Sequence, residues 1–246
     1  MPDTAQTRVL DLSQNGGPAP IVEMSGLKIS YRTGEMSFTV LDIDELALPA
    51  GLSIGLSGPS GCGKSTLLNL CAGLLRPTVG SIRVDGEELT GLGQGALDRF
   101  RAKKIGYVFQ GFNLIPALSA LGNVELPMRL SGSMPASLRR ARAQELLDRV
   151  GLGTKARQKP NQLSFGQMQR VGIARAIAGH PRLLLADEPT ASLEPGLGLS
   201  IVRLLIAVAK ENSATLVVAT HDPAVLTELD HTLTMSAINR AMEVSS

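Results

Sequence analysis

Cysteine is scarce in this chain of 246 residues, where Cys62 and Cys71 are the two thiols. Their spacing and surroundings fit neither a disulfide framework nor a thiolate metal site, so they read as free thiols of a reducing compartment. His180, His221 and His231 are scattered and bring no clustered ligands, so no histidine metal centre is expected. No run of 18 or more apolar residues occurs, and no segment is expected to span a membrane as a helix. An excess of one charge is missing too. Lys and Arg total 24 against 22 Asp and Glu, a net charge of +2 that gives no electrostatic case for nucleic-acid binding. Residues 1–20 carry Gly16, Gly17, Pro18 and Pro20 among charged residues, without the apolar stretch of a secretion signal, and are read as a flexible tail. No internal repeat is visible.

What remains is ample for one large domain over residues 21–246, or a core with an inserted lobe. Residues 52–56, 105–109, 183–186 and 216–219 are apolar at nearly every position, as expected of strands buried on both faces of a parallel sheet. Val202, Leu205, Ile206 and Ala209 recur at helical spacing before Asn212 and Ser213. Early in the chain, residues 82–84 run into Asp85 and Gly86, a hairpin signal that predicts an antiparallel subdomain. Residues 114–160 have few β-branched runs. Ala143, Leu146, Leu147 and Val150 form one apolar helical face, and the region reads as an inserted helical lobe.

Between the first apolar strand and a helical run over 66–74 lie Gly58, Pro59, Ser60, Gly61, Cys62, Gly63, Lys64, Ser65 and Thr66. This is G-x-x-x-x-G-K-S, a phosphate-binding loop in the strand–loop–helix context it requires. Its glycines let successive backbone N–H groups turn onto phosphate, and the helix N-terminus behind them favours negative charge. Lys64 suits the β- and γ-phosphates and Ser65 suits Mg²⁺. Cys62 occupies one of the four variable loop positions.

Far downstream, the apolar run 183–186 ends in Asp187 and Glu188. Adjacent carboxylates at a strand end beside a nucleotide can divide the work: Asp187 holds Mg²⁺, while Glu188 orients or deprotonates the attacking water. A solvated acidic strand end is the alternative. Just before that strand come Leu163, Ser164, Phe165, Gly166 and Gln167. Ser164 is a good helix N-cap, so a second helix N-terminus able to meet phosphate is expected here.

The loop, this L-S-x-G-Q signature and the Asp187-Glu188 strand stand in the order and approximate spacing of the nucleotide-binding subunits of ATP-binding cassette (ABC) transporters, which the chain resembles over about residues 22–235. The resemblance implies an α/β fold of the P-loop NTPase class. It would have a mostly parallel RecA-like core sheet, an antiparallel β subdomain and an inserted α-helical lobe at about residues 111–165. It implies ATP and Mg²⁺ as ligands, with Ser65, Gln110 and Asp187 toward the metal. Tyr31 resembles the aromatic that stacks on adenine, Gln110 the glutamine near Mg²⁺ and the attacking water, and His221 the switch histidine at the γ-phosphate. As isolated residues Tyr31 also fits core packing, and Gln110 and His221 also fit capping. Two positions depart from the pattern. Phe165 replaces a small residue within the signature, and Glu194 stands where Asp is usual, which bears on hydrolysis rate and on coupling between sites.

The family works as pairs of cassettes, so the resemblance implies a second ATPase subunit, either a second copy in a homodimer or a sister chain. ATP would lie between the phosphate loop of one copy and Ser164, Gly166 and Gln167 of the other. It also implies transmembrane permease subunits and a cytoplasmic place on the inner face of the cell membrane. Residues 109–116 and 123–127 look most like the lipoprotein-releasing and macrolide-export ATPases, and the short C-terminal end speaks against the sugar-importer branch. The basic clusters Arg99, Arg101, Lys103, Lys104 and Arg139, Arg140, Arg142 are read as solvated faces or as contacts with lipid headgroups or the membrane partner. The rival reading is a soluble ABC-type ATPase of DNA repair or translation, or an ATP-binding regulatory module.

Overall fold

The computed structural model describes residues 19–34, 36–132, 134–191 and 193–242. The tail over residues 1–18 therefore lies outside the described residues, and strand β1 (Pro20–Thr33) already begins inside the segment read as tail. It pairs antiparallel with β2 (Met36–Pro49). The alternation of a strand decides which face is buried. In β2, Leu41, Ile43, Leu46 and Leu48 are buried, while Asp44, Glu45 and Ala47 face out.

Strand β3 (Ser53–Ser57) leads through the phosphate loop into α1 (Lys64–Cys71). The antiparallel sheet then resumes with β4 (Val79–Val84) and β5 (Glu87–Glu88). Between them Asp85 and Gly86 take φ of 48° and 77°, the doubly left-handed turn that matches strand twist. Helix α2 (Gln94–Lys104) precedes β6 (Ile105–Val108). Next come α3 (Ala120–Ser131), α4 (Ala136–Arg149) and α5 (Phe165–Ile177), with α3 and α4 packed on each other and both on α5. The chain continues as β7 (Leu183–Asp187), α6 (Pro195–Glu211), β8 (Thr215–Ala219), α7 (Pro223–Leu226), β9 (His231–Thr234) and α8 (Met235–Ile238).

Five strands form a parallel sheet in the order β6-β7-β8-β3-β9, and four form an antiparallel sheet in the order β2-β1-β4-β5. The continuous apolar runs have a clear cause. In β7, Leu183 and Leu185 join the core shared with α1 and the antiparallel sheet, whereas Leu184 and Ala186 join the core formed with α3 to α6. Both faces of this strand are covered, so no position is left for a polar residue until Asp187. The order also puts β3 between β8 and β9, and the C-terminal ends of β3, β7 and β8 carry the loops that form the site.

Candidate functional site

The loop after β3 is shaped by positive φ at Gly58, Gly61 and Gly63, with Gly63 as the N-cap of α1 at φ 101°. No side chain caps this helix, so its first N–H groups, which lack partners within the helix, face the loop cavity. A Cβ on Gly63 would lie 2.7 Å from the Leu41 side chain, so the loop is pressed directly on β2. The Lys64 ammonium donates to Gly58 O at 2.8 Å and Pro59 O at 3.0 Å, which uses two of its three protons.

Two strand ends meet this loop. From β7, Asp187 Oδ1 accepts a hydrogen bond from the Ser65 hydroxyl at 3.0 Å. Burial pushes the Asp187 carboxyl above its usual range, as does the charge of Glu188, while the Ser65 hydrogen bond and the Lys64 charge oppose the rise. Glu188 turns the chain with φ 43°, left-handed backbone that a residue with a side chain rarely holds and that its N–H bond to Ala219 O helps to fix. Its Oε1 lies 3.9 Å from Lys64 Nζ and 2.9 Å from Nδ1 of His221, which follows β8. Because the carboxylate accepts, the imidazole Nδ1–H donates, and this fixes the ring tautomer.

A cavity of about 450 Å³ gathers the sequence candidates: Pro59, Ser60, Gly61, Gly63, Lys64, Ser65 and Thr66 from the loop, with Gln110, Glu188 and His221 opposite. A larger groove of about 620 Å³ lies beyond Gln110, lined by Tyr107, Phe109, Leu130 and Arg175. It lacks the loop, Glu188 and His221, so the smaller cavity is the chemical one. No cluster of three or more His, Cys, Asp or Glu occurs among the described residues. Mg²⁺ does not need one, because it keeps waters and takes one or two protein oxygens beside substrate phosphates. Ser65 Oγ and the half-buried Asp187 carboxyl, 3.0 Å apart, are oxygen donors of the kind such a cation takes.

Other candidates stand apart from this cavity. Tyr31 is 41% exposed at the far end of β1, its ring centroid 5.8 Å from that of Phe38. Ser164, Gly166 and Gln167 stand at the start of α5, where Ser164 and Gln167 bond to each other rather than to the loop. Ser164 Oγ accepts from Gln167 N–H at 3.3 Å, and Gln167 Oε1 accepts from Ser164 N–H at 3.1 Å. Gly166 packs where a Cβ would meet Leu197 at 2.7 Å. Glu194 is the N-cap of α6 without a side-chain cap bond, and Ser192 lies outside the described residues. Cys62 and Cys71 are buried free thiols, and burial pushes the Cys71 thiol up to about 12.

Sequence reasoning passed over Gln169, which is buried and donates to Pro189 O at 2.9 Å, tying the signature helix to the turn after Glu188. A polar residue on the buried stripe Gln169, Gly172, Ile173, Ala176 was the available signal. Arg175 also went unread, although its guanidinium holds the carbonyls of Phe112 and Asn113 in the loop after Gln110.

A parallel sheet whose β3 runs through a glycine loop into α1, with Asp187 and Glu188 at the end of β7 on the far side of β8, defines a P-loop nucleoside triphosphatase. The family model described as ABC transporter matches residues 41–191, more than half of the chain. A methionine import ATP-binding protein of Nocardia farcinica is 42% identical over 93% of this chain and 68% of its own length. A macrolide export ATP-binding/permease protein of Paracoccus denitrificans is 43% identical over 84% of this chain, which spans 31% of that relative. Among solved structures, the ATP-binding cassette MJ0796, described as a dimer in a post-hydrolysis state bound to ADP and Pi, superposes with a TM-score of 0.81 at 40% identity. The match covers 89% of this chain and 94% of that one. The chain belongs to the ABC transporter family, as one of its ATP-binding and ATP-hydrolysing cassettes. Importer and exporter relatives are similar to it to nearly the same degree, so likeness follows the ATP chemistry rather than the direction of transport.

Proposed function

We propose that the chain is the Mg²⁺-dependent ATPase of a membrane transporter, acting as a homodimer attached to the inner face of the cell membrane through a permease. The observation that supports this best is the position of Glu188. One carboxylate oxygen lies 2.9 Å from His221 and 3.9 Å from Lys64, above the phosphate loop. A base there faces the side of a γ-phosphate from which water attacks, while the loop N–H groups and Lys64 hold the β- and γ-phosphates. Ser65, Asp187 and Gln110 would hold Mg²⁺, which would supply positive charge to offset that of the phosphates. Glu188 orients the water and takes its proton, and His221 fixes the carboxylate and reaches the γ-phosphate. Tyr31 stacks on adenine. Ser164, Gly166 and Gln167 of a second copy close over the nucleotide; Ser164 Oγ accepts within its own helix, which leaves its O–H to donate across.

The larger groove suits the permease. It runs along Phe109 and Asn113 on either side of Gln110, presents Leu130 at 72% exposure, and has Arg99, Arg101 and Lys103 on its rim. Pressure there is felt at Gln110 through a loop that Arg175 holds by its carbonyls. Residues 109–116 and the macrolide-export relative support a permease of the lipoprotein-releasing or macrolide-export kind. No helix among the described residues is long and apolar enough to cross a membrane.

Glu188→Gln is the test. Turnover of ATP should fall by about 10²- to 10⁴-fold, the usual worth of a positioned base, with ATP binding retained. Undiminished hydrolysis overturns the assignment. In native cells the same variant, loaded with ATP, should co-purify with a permease from detergent-solubilised membranes; recovery with ribosomes or DNA alone overturns the transporter reading.

A further inference from the structure

Asn239, which follows α8, belongs to none of the motifs above and is 1% exposed. Every hydrogen-bonding valence of its side chain is used. Oδ1 accepts from Asp42 N–H at 2.9 Å and Ala241 N–H at 3.2 Å. Nδ2 donates to Val40 O at 2.9 Å and to Cys62 O at 3.3 Å. One amide thus joins β2, the C-terminal segment and the phosphate loop, and no shorter or charged side chain reproduces two donors and two acceptors.

The bond to Cys62 has a geometric consequence. A trans peptide is planar, with its C=O and N–H on opposite sides. The Cys62 carbonyl points outward onto Asn239, so the Gly63 N–H of the same unit points inward. The two sides of this peptide border different spaces. Gly63 lines the phosphate cavity, whereas Cys62 and Asn239 line an adjoining cleft of about 430 Å³ with Phe38, Thr39 and Met242, the two spaces meeting at Pro59, Ser60 and Gly61. The C-terminal segment also backs the loop at its start, because a Cβ on Gly58 would lie 3.1 Å from Met235. Strand β2, to which Asn239 is tied at Val40 and Asp42, carries Phe38 beside Tyr31 in the same half of the strand.

We propose that Asn239 is a positioning residue for the nucleotide: it sets the Cys62–Gly63 peptide so that the Gly63 N–H faces the phosphates, and it locks that peptide to β2. The phosphate subsite and the aromatic platform for the base are thereby held in fixed relation by a residue from the last described segment. This inference rests on the reading of the loop cavity as the ATP site.

The test compares Asn239→Ala with Asn123→Ala. Asn123 is a matched control, fully buried in α3 with its amide bonded to Ile115, Leu118 and Ser119, and remote from the Cys62 peptide. Calorimetric titration with Mg·ATP and with Mg·tripolyphosphate, which has no base or sugar, reads the effect on the cradle. Asn239→Ala should weaken both ligands by about tenfold, the size of one lost hydrogen bond to a charged group. Asn123→Ala should leave both within about twofold, even at an equal loss of melting temperature. Should Asn239→Ala not fold, Asn239→Ser is titrated in its place. Unchanged affinity in a folded Asn239 variant, or equal losses in the Asn123 control, overturns the proposal alone. Absence of ATP binding by the unaltered protein overturns the ATP-site reading and this inference with it.

Discussion

Helices α1 and α5 both start at glycine-bearing motifs, and their N-termini are finished in opposite ways. At α1 the cap is Gly63, no side chain accepts from the first turn, and the orphan N–H groups open onto a cavity that also holds Lys64. At α5 the cap is Ser164, and its reciprocal bonds with Gln167 satisfy two donors inside the helix itself. An uncapped helix end beside a buried ammonium is poised for a strongly charged anion. A capped end keeps the dipole but has fewer groups to offer, so it serves as the second contact to an anion already held elsewhere. On the proposed function, one chain would carry a strong half-site and a weak half-site at different places on its surface, the arrangement a head-to-tail pair of copies requires.

Removing the strong half should have the largest effect. Lys64→Ala deletes the ammonium and should weaken ATP binding by about 100-fold or more, since charge-assisted bonds in a site shielded from water are the strongest available. Equilibrium binding of a fluorescent ATP analogue reads the loss, and affinity within threefold of the unaltered protein would break the comparison. Ser164→Ala acts on the weak half. Loss of the cap should cost about 1 kcal/mol of stability, read by urea denaturation. Binding of ATP to the isolated chain should be unchanged, while ATP-dependent dimerisation of the Glu188→Gln form, read by light scattering, should weaken. A fall in monomer affinity would show that Ser164 serves its own chain's nucleotide.

The strong half-site was legible in the sequence because its parts are local. Gly58 to Thr66 is one segment, and Asp187 and Glu188 end a strand whose apolar run betrays burial on both faces. Gln110 and His221 came within reach because each follows such a run, and parallel strands put their C-terminal ends on one side. Asn239 was not legible: its partners Val40, Asp42 and Cys62 lie far away in sequence, and nothing about an asparagine after Ile238 announces them. The great length of β1 and β2 was equally hidden, because charged residues fill their exposed face and break up the apolar runs. The self-capping of α5 was half legible. Ser164 read as an N-cap, but the return bond from Gln167 needs the geometry.

Phe165 offers the finest adjustment of the comparison, and the smallest effect. It occupies the first turn of α5 at 63% exposure, and its ring stacks on Phe112 with centroids 6.0 Å apart and planes 20° from parallel. Phe112 has φ 59°, and its carbonyl accepts from Arg175 of the same helix, so the loop after Gln110 is tied to α5 at both ends of one residue. The aromatic in the signature is therefore a strut between the weak half-site and the loop that borders the strong one. An exposed aromatic pair contributes about 0.5 kcal/mol beyond area burial, the low end of the usual range. A double-mutant cycle with Phe165→Ala and Phe112→Ala, read by urea denaturation, should return a coupling of about that size, with ATP affinity of the monomer unchanged. Additive losses would mean that the rings touch without supporting each other. In that case the link between α5 and the turn after Glu188 rests on the Gln169 amide, which donates to Pro189 O.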